Sequence, residues 1–257
     1  MGVVNVTPDS FSDGAEFLDA PRAIAYARTL VEEGADIIDI GGESTRPGAQ
    51  PVSADEEMAR VLPVIEGLAG QIGGALISID TWKASVARRA VDAGARIVND
   101  VTGGRDPEML GTVAGLGAGY VHMHMRGTPE TMATLTDYDD VVDEVKDELS
   151  RGIAQAREAG IIEVYVDPGI GFAKTADQSC EILRRLSELA DLGAPLLVGP
   201  SRKSFIGHIT GLPADQRLEG TIAAVVISVL GGASIVRVHD VASARQALIV
   251  TEAIHDA

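Results

Sequence analysis

The sequence predicts an α/β chain whose eight strand–helix units close into a (β/α)8 TIM barrel, a single domain over residues 1–257. Three observations lead there. Eight short apolar runs recur along the chain, each followed by a segment of helical character, and such alternation argues a parallel sheet. The length of 257 residues matches the usual ~250 of one eightfold barrel. Each run also ends in a polar or charged residue just before a loop, and in a barrel the carboxyl ends of the strands form the active-site face.

Taken in order, Val3-Val4 ends in Asn5, Ile37-Ile38 in Asp39, Ile77-Ser78-Ile79 in Asp80, and Ile97-Val98 in Asn99. Tyr120-Val121 runs to His122 and His124, and Val164-Tyr165-Val166 ends in Asp167. Leu196-Leu197-Val198 leads to Ser201 and Lys203, and Ile235-Val236 to Arg237 and His239. Between the runs, Ser53 with Glu56 and Thr175 with Gln178 fit the capping box that starts a helix. Val141, Val145, Leu149, Ile153 and Ala156 mark an amphipathic helix. Gly34, Gly94, Gly160 and Gly193 stand where helices must end before the next strand. No linker or composition shift divides the chain.

A hydrophobic content of 46% with only 4% aromatics suits a core of Val, Ile, Leu and Ala. A chain of this length buries roughly 70–75% of its unfolded surface and needs no staples. The one cysteine, Cys180, excludes an intrachain disulfide, and its helical context predicts a packing role. The start, Met1-Gly2-Val3-Val4-Asn5, has no signal-peptide pattern, and the longest apolar run, Ile222 to Leu230, is far below the ~20 residues that span a bilayer. These readings predict a cytoplasmic protein. The net charge of −17 disfavours nucleic acid and anionic membranes as partners. A small anionic substrate remains open, because a cleft gathering Arg46, Lys203, Arg237 and His239 is locally positive.

Two loops are long for barrel connections, Thr7 to Leu18 and Gly42 to Ser53. Both are rich in Gly, Pro, Ser, Thr and Asp, and the presence of Phe11, Asp13 and Arg46 favours functional loops over decoration.

Two sets of strand-end residues carry chemistry. Asp80, Asn99, Asp167 and Lys203 combine acceptors, an amide of both characters and a donor, a set that matches the edge of a flat heterocycle such as a pterin or a guanine. Asn5, Arg46, Arg237 and His239 form a phosphate set. Arginine forks suit phosphate oxygens, and the amide oxygen of Asn5 suits Mg²⁺ better than zinc. Three other signals are weaker. Gly169-x-Gly171 before Lys174 lacks the rest of a dinucleotide fingerprint and predicts close backbone approach to a ligand. His122 and His124 alternate on one strand, but without a third spaced ligand barrel-interior hydrogen bonding is the expectation rather than metal. Ser201 has no His-Asp pair placed by sequence to activate it as a nucleophile. His208 and His255 read as surface residues.

The run Asn5-Val6-Thr7-Pro8-Asp9-Ser10-Phe11-Ser12-Asp13-Gly14 resembles the first signature of the dihydropteroate synthase family of pterin-binding proteins, the sulfonamide target in folate synthesis. So do Asp39-Ile40-Gly41-Gly42-Glu43-Ser44-Thr45-Arg46-Pro47-Gly48, Ser78-Ile79-Asp80-Thr81, Val98-Asn99-Asp100-Val101 and Met123-His124-Met125-Arg126-Gly127. Asp167-Pro168-Gly169-Ile170-Gly171-Phe172 with Lys174, Ser201-Arg202-Lys203-Ser204 and Arg237-Val238-His239-Asp240-Val241 complete a resemblance that spans essentially the whole chain. It implies a Mg²⁺-dependent transfer of the 7,8-dihydropterin-CH₂ group from its diphosphate to p-aminobenzoate, in a cytoplasmic homodimer.

By that resemblance the pterin falls to Asp80, Asn99, Met123, Asp167, Gly171, Lys203 and Arg237. The p-aminobenzoate falls to Thr45, Arg46, Pro47, Phe172, Lys203 and Ser204, with Phe11 and Asp13 arriving on the first loop. The diphosphate falls to Asn5, Arg46, Arg237 and His239, and the metal to Asn5. Asp39, Asp80, Asp167, Lys203, Arg237 and His239 are the implied catalytic residues. By the resemblance Ala15 stands where a second Gly is common and Ala173 where some relatives have Gly, and relatives usually carry a leading segment before the first strand. A pterin-dependent methyltransferase or a non-catalytic pterin-binding paralogue are the alternatives. The first would not need the Thr-Arg-Pro loop or the Ser-Arg-Lys-Ser block, and the second is expected to have lost Asn5, Arg237 or His239.

Overall fold

In the computed structural model, which describes residues 1–7, 20–45 and 49–255, parallel strands alternate with helices along the chain. The strands are β1 (Gly2–Asn5), β2 (Ile37–Gly41), β3 (Leu76–Asp80), β4 (Ile97–Asp100), β5 (Gly119–Met123), β6 (Val164–Asp167), β7 (Leu197–Val198) and β8 (Ile235–Val236). β1 to β6 pair in chain order as one sheet, and β7 pairs with β8. Two further pairings close the ring. Val166 with Leu196 joins β6 to the seventh unit, and Gly2 with Val238 joins first to last. Across that last seam Val3 N donates to Val238 O at 3.1 Å and Val238 N to Met1 O at 2.9 Å. The expected barrel forms.

The helices are α1 (Ala20–Glu32), α2 (Ala54–Leu68), α3 (Ala84–Ala93), α4 (Met109–Leu116), α5 (Val141–Glu158), α6 (Ala176–Arg184), α7 (Ser187–Ala190), α8 (Ser204–Thr210), α9 (Leu218–Leu230) and α10 (Val241–His255). Thr175 caps α6 with the full reciprocal box, whereas Ser53 accepts from Glu56 N at 3.2 Å without the return bond. Glu56 is drawn instead to Arg60 one turn along. The predicted α5 stripe is buried throughout. Gly94, closing α3 at φ 128°, holds a backbone conformation that a side chain rarely adopts.

Strand geometry explains why the site sits where it does. Parallel pairing sets partner residues side by side on one face, and side chains two apart share that face. Met1, Ile97, Val121 and Leu197 pack with Ile37, Tyr165 and Ile235 as an apolar plug. Two residues further along the same strands stand Asp39, Asn99, Met123, Asp167 and Arg237. The inner face of each strand therefore turns from apolar to chemical toward its carboxyl end. On the opposite face Val4, Ile38, Ile40, Ile79, Val98, Tyr120 and Val166 join the core against the helices.

That parity corrects one expectation. His122 pairs in register with Val166 of the outer face, not with the interior. A Cβ on Gly152 of α5 would lie 2.0 Å from His122 Nε2, so the ring is wedged against that helix. His124 likewise faces Glu148 of α5 at 3.0 Å. Neither imidazole lies in the barrel interior. Among the described residues no helix is long and apolar enough to cross a membrane.

Candidate active site

The barrel mouth is built row by row. Asn5 pairs with Gly41, Gly41 with Asp80, and Asp80 with Asn99, so three chemical side chains lie on one level across four strands. Gly41 makes the row passable, since its position is 3.4 Å from Asp80 Cβ for any added methyl. Met123 and Asp167 pair across β5 and β6 and extend the rim.

Arg237 ties the rim together. Its Nε donates to Asp39 Oδ2 at 2.6 Å and its Nη2 to Asp80 Oδ2 at 2.8 Å. The same Asp39 oxygen accepts from Asn99 Nδ2 at 3.0 Å. Asp39, Asp80, Asn99 and Asp167 are all buried. Burial raises the Asp80 carboxyl to about 7 against the pull of Arg237, with Asp39 adding to the rise. Burial also raises Asp167, opposed by the Gly169 N–H, which donates to its Oδ1 at 2.7 Å, and by Lys203. Lys203 falls to about 8 through burial, held up by Asp167 and Asp80. Burial works against the charge on Arg237 too, but Asp39 and Asp80 outweigh it and keep its pKa above the ordinary value. The heterocycle and phosphate sets, separate in sequence, are thus one electrostatic network.

Lys203 Nζ stands 3.9 Å over the Phe172 ring, a cation–π contact. Phe172, Met123, Val101, Met125, Met132 and Ala173 form an apolar wall beside it. Ser204 is exposed at the start of α8, and Thr45 is partly buried. Phe11, Asp13, Arg46 and Pro47 lie outside the described residues.

His239 is the one imidazole of the three strand-end histidines that meets this network. Burial, then Arg237 and Arg202, lower it to about 4, so it is neutral at pH 7. Its backbone N–H donates to Ser201 Oγ at 3.2 Å, and that hydroxyl lies 2.9 Å from His239 Nδ1. Ser201 Oγ thus meets His239 at both its backbone N–H and its Nδ1 and orients the ring, the direction of the Nδ1 bond following the tautomer. Sequence reasoning set Ser201 aside as a nucleophile and so missed this orienting part.

The Gly169 backbone approaches the protein closely: a Cβ there would stand 2.0 Å from the His124 carbonyl oxygen. Ala173 takes φ 48°, the region that glycine favours.

Among the described residues no group of three His, Cys, Asp or Glu side chains can hold a metal. Among the described residues Asp39 Oδ1 is buried with no hydrogen-bond partner, and Asn5 stands two residues beyond Val3, the register partner of Asp39 on β1. Two hard oxygens and no imidazole or thiolate cage fit Mg²⁺, which takes few protein ligands and fills its shell with water and phosphate.

Residues 1–239 match the profile of the family described as pterin binding enzyme. The dihydropteroate synthase of Synechocystis sp. is 50% identical over 99% of this chain and 89% of its own length. Among solved structures, the Xanthomonas albilineans dihydropteroate synthase with 4-aminobenzoic acid superposes with a TM-score of 0.93 at 46% identity, covering 100% of this chain and 92% of that one. The same enzyme in complex with 7,8-dihydropteroate superposes with a TM-score of 0.90 at 43% identity, covering 100% and 93%.

Proposed function

The chain belongs to the pterin-binding enzyme family, and on that premise we propose that it joins 7,8-dihydropterin-CH₂-diphosphate to p-aminobenzoate, giving 7,8-dihydropteroate and pyrophosphate in folate biosynthesis. The amine lone pair forms the C–N bond, the C–O bond breaks with its electrons onto pyrophosphate, and one amine proton is released. The observation that carries the reading is the Asp39–Arg237–Asp80 bridge, where a ring-binding carboxylate and a phosphate-binding guanidinium share one buried network.

Asp80, Asp167 and Asn99 hold the donor edge of the pterin. Asn99 commits one N–H to Asp39 and keeps a second N–H and an amide oxygen. Met123 and Gly171 line the ring, and Lys203 closes its acceptor side. Phe172, Lys203 and Ser204 face the arylamine, together with Thr45 and the residues of the two long loops. Arg237 and His239 meet the diphosphate, where negative charge grows as the C–O bond loosens. Buried Asp167 stabilises positive charge spreading onto the pterin. An arylamine is neutral at pH 7, so the site needs no strong base.

Mg²⁺ is the cofactor we assign, held by Asn5 with Asp39 nearby; when bound it supplies charge neutralisation at the leaving diphosphate. The assembly we propose is a homodimer through α9 and α10, which expose Ile227, Leu230, Ile249, Val250 and Ile254. A cytoplasmic location goes with this activity and with the lone free Cys180. The retained Asn5, Arg237 and His239 argue against the non-catalytic alternative.

The test is pyrophosphate release from the dihydropterin diphosphate, with and without p-aminobenzoate. Release that rises with p-aminobenzoate supports the transferase. No release in either condition overturns it.

A further inference from the structure

The turn after β6 is held in an unfavourable shape by one bond from outside it and one from its own lysine. Ala173 sits at φ 48°, which a side chain rarely adopts unless its surroundings over-determine it. Tyr138 Oη donates to the Ala173 carbonyl at 2.9 Å, and Lys174 Nζ donates to the Phe172 carbonyl at 3.0 Å. Lys174 Nζ also lies 2.8 Å from His124 Nδ1. Lys174 is only 8% exposed and His124 3%. Lysine is almost never buried without a compensating partner. A methionine would fill the same space at far lower desolvation cost, so the donors of this ammonium are what its burial secures.

The groups that face it come from several elements. His124 ends the β5 segment, and Glu148 of α5 stands behind the imidazole, 3.0 Å from Nε2 but out of line for a hydrogen bond. Arg126, stacked 3.9 Å over the Tyr138 ring, holds Glu148 at 2.7 Å. Burial lowers the lysine pKa to about 7, with Asp167 and Glu148 holding it up and Arg126 and Lys203 opposing them. The chain of contacts runs from α5, through His124 and Lys174, to the backbone that presents Phe172 beneath Lys203.

We propose that Lys174 is a positioning residue for the arylamine end of the site, setting the Phe172 ring through its bond to the Phe172 carbonyl and its anchor on His124. The inference rests on the reading of Phe172 as an arylamine contact. It assigns Lys174 no contact with the pterin, which the Asp80 and Asn99 side of the rim holds.

The experiment compares binding of pteroate, which carries the arylamine, with binding of 6-hydroxymethylpterin, which does not, by calorimetric titration. In Lys174→Met the preference for pteroate falls about tenfold, as expected for one charge-assisted hydrogen bond, with 6-hydroxymethylpterin affinity unchanged. Tyr138→Phe, which removes the other tie and keeps the ring, lowers the same preference in the same direction. Equal losses for both ligands, or no loss for either, overturn the proposal. Should Lys174→Met fail to fold, Tyr138→Phe alone decides it, an unchanged preference being fatal. Binding is read without turnover, so failure of the transferase reading shows separately, as absent pyrophosphate release by the unaltered protein.

Discussion

Arg237 Nε and Asp39 Oδ2 meet at 2.6 Å, with the Asp39 side chain wholly buried and the guanidinium reaching on to Asp80. Taking either partner away leaves charge stranded in a poorly solvated place. Arg237→Met is expected to lower stability by about 3–5 kcal/mol, because two buried carboxylates lose their counter-charge. Adding Asp39→Asn should recover part of that loss. Urea unfolding of the single and double variants checks it, and additive losses would mean the pair is not coupled.

Asp80 makes ring binding sensitive to acid. Its carboxyl, raised to about 7 by burial, must be ionised to accept two hydrogen bonds from a pterin. Protonation competes as pH falls through that value. Pterin affinity should therefore weaken below pH 7 by up to about tenfold per unit, and Asp80→Asn should flatten the dependence. Asp80→Ala is expected to cost about 1.5–3 kcal/mol of pterin binding at pH 8. Unchanged affinity in that variant would contradict the pocket assignment.

Two histidines predict the acid limb of stability. His124 and His239 are both lowered to about 4 from an ordinary 6.5, burial being the first cause for each. The unfolded chain takes up protons from pH 6.5 downward while the fold resists until about 4. Their contribution is therefore complete above pH 6.5 and is lost as pH falls toward 4, at about 1.4 kcal/mol per pH unit for each proton. His124→Gln should remove one proton from that slope. Glu148, lowered to about 2 by the neighbouring His124 first and then by Arg126, extends the loss below pH 4.5. Urea midpoints between pH 4.5 and 7 measure the slope, and identical slopes for the variant and the unaltered protein would refute the assignment.

What the sequence disclosed followed from strand parity. Asp39, Asn99, Asp167 and Arg237 each stand two residues beyond an inward apolar residue, so a run and its polar end reveal both strand and site. Pairings that depend on tertiary packing left no such trace. Lys174 and His124 are separated by 50 positions, and nothing local says that one buries its ammonium against the other. Glu43 accepts from Trp82 Nε1 at 2.8 Å and from Lys83, tying the root of the second loop to the end of β3 across a comparable gap. The bridge from Arg237 to Asp39 and Asp80 merged two sets that spacing alone kept apart. His122 shows the opposite failure, where same-face alternation was right and the choice of face was wrong.

Ser201 should matter through its hold on the His239 ring. Ser201→Ala removes the hydroxyl that holds Nδ1, freeing the imidazole to swap tautomers or turn. A loss of about 1 kcal/mol corresponds to roughly fivefold in rate. The fall is expected in kcat, with KM for p-aminobenzoate unchanged, since the effect is on the leaving diphosphate. A loss confined to KM would place Ser201 on the arylamine side instead.

Gly152 sets packing against propensity. It lies within α5, where alanine ordinarily gains about 1 kcal/mol over glycine. A Cβ at this position, however, would come within 2.0 Å of His122 Nε2 and 2.3 Å of its Cε1. The ring has little room to yield, since His122 is buried. Overpacking of this kind costs about 1–3 kcal/mol, more than the helix gains. Gly152→Ala should therefore lower the melting temperature. Gly152→Ala combined with His122→Ala, which opens the space, should reverse the sign of the Gly152 effect relative to His122→Ala alone.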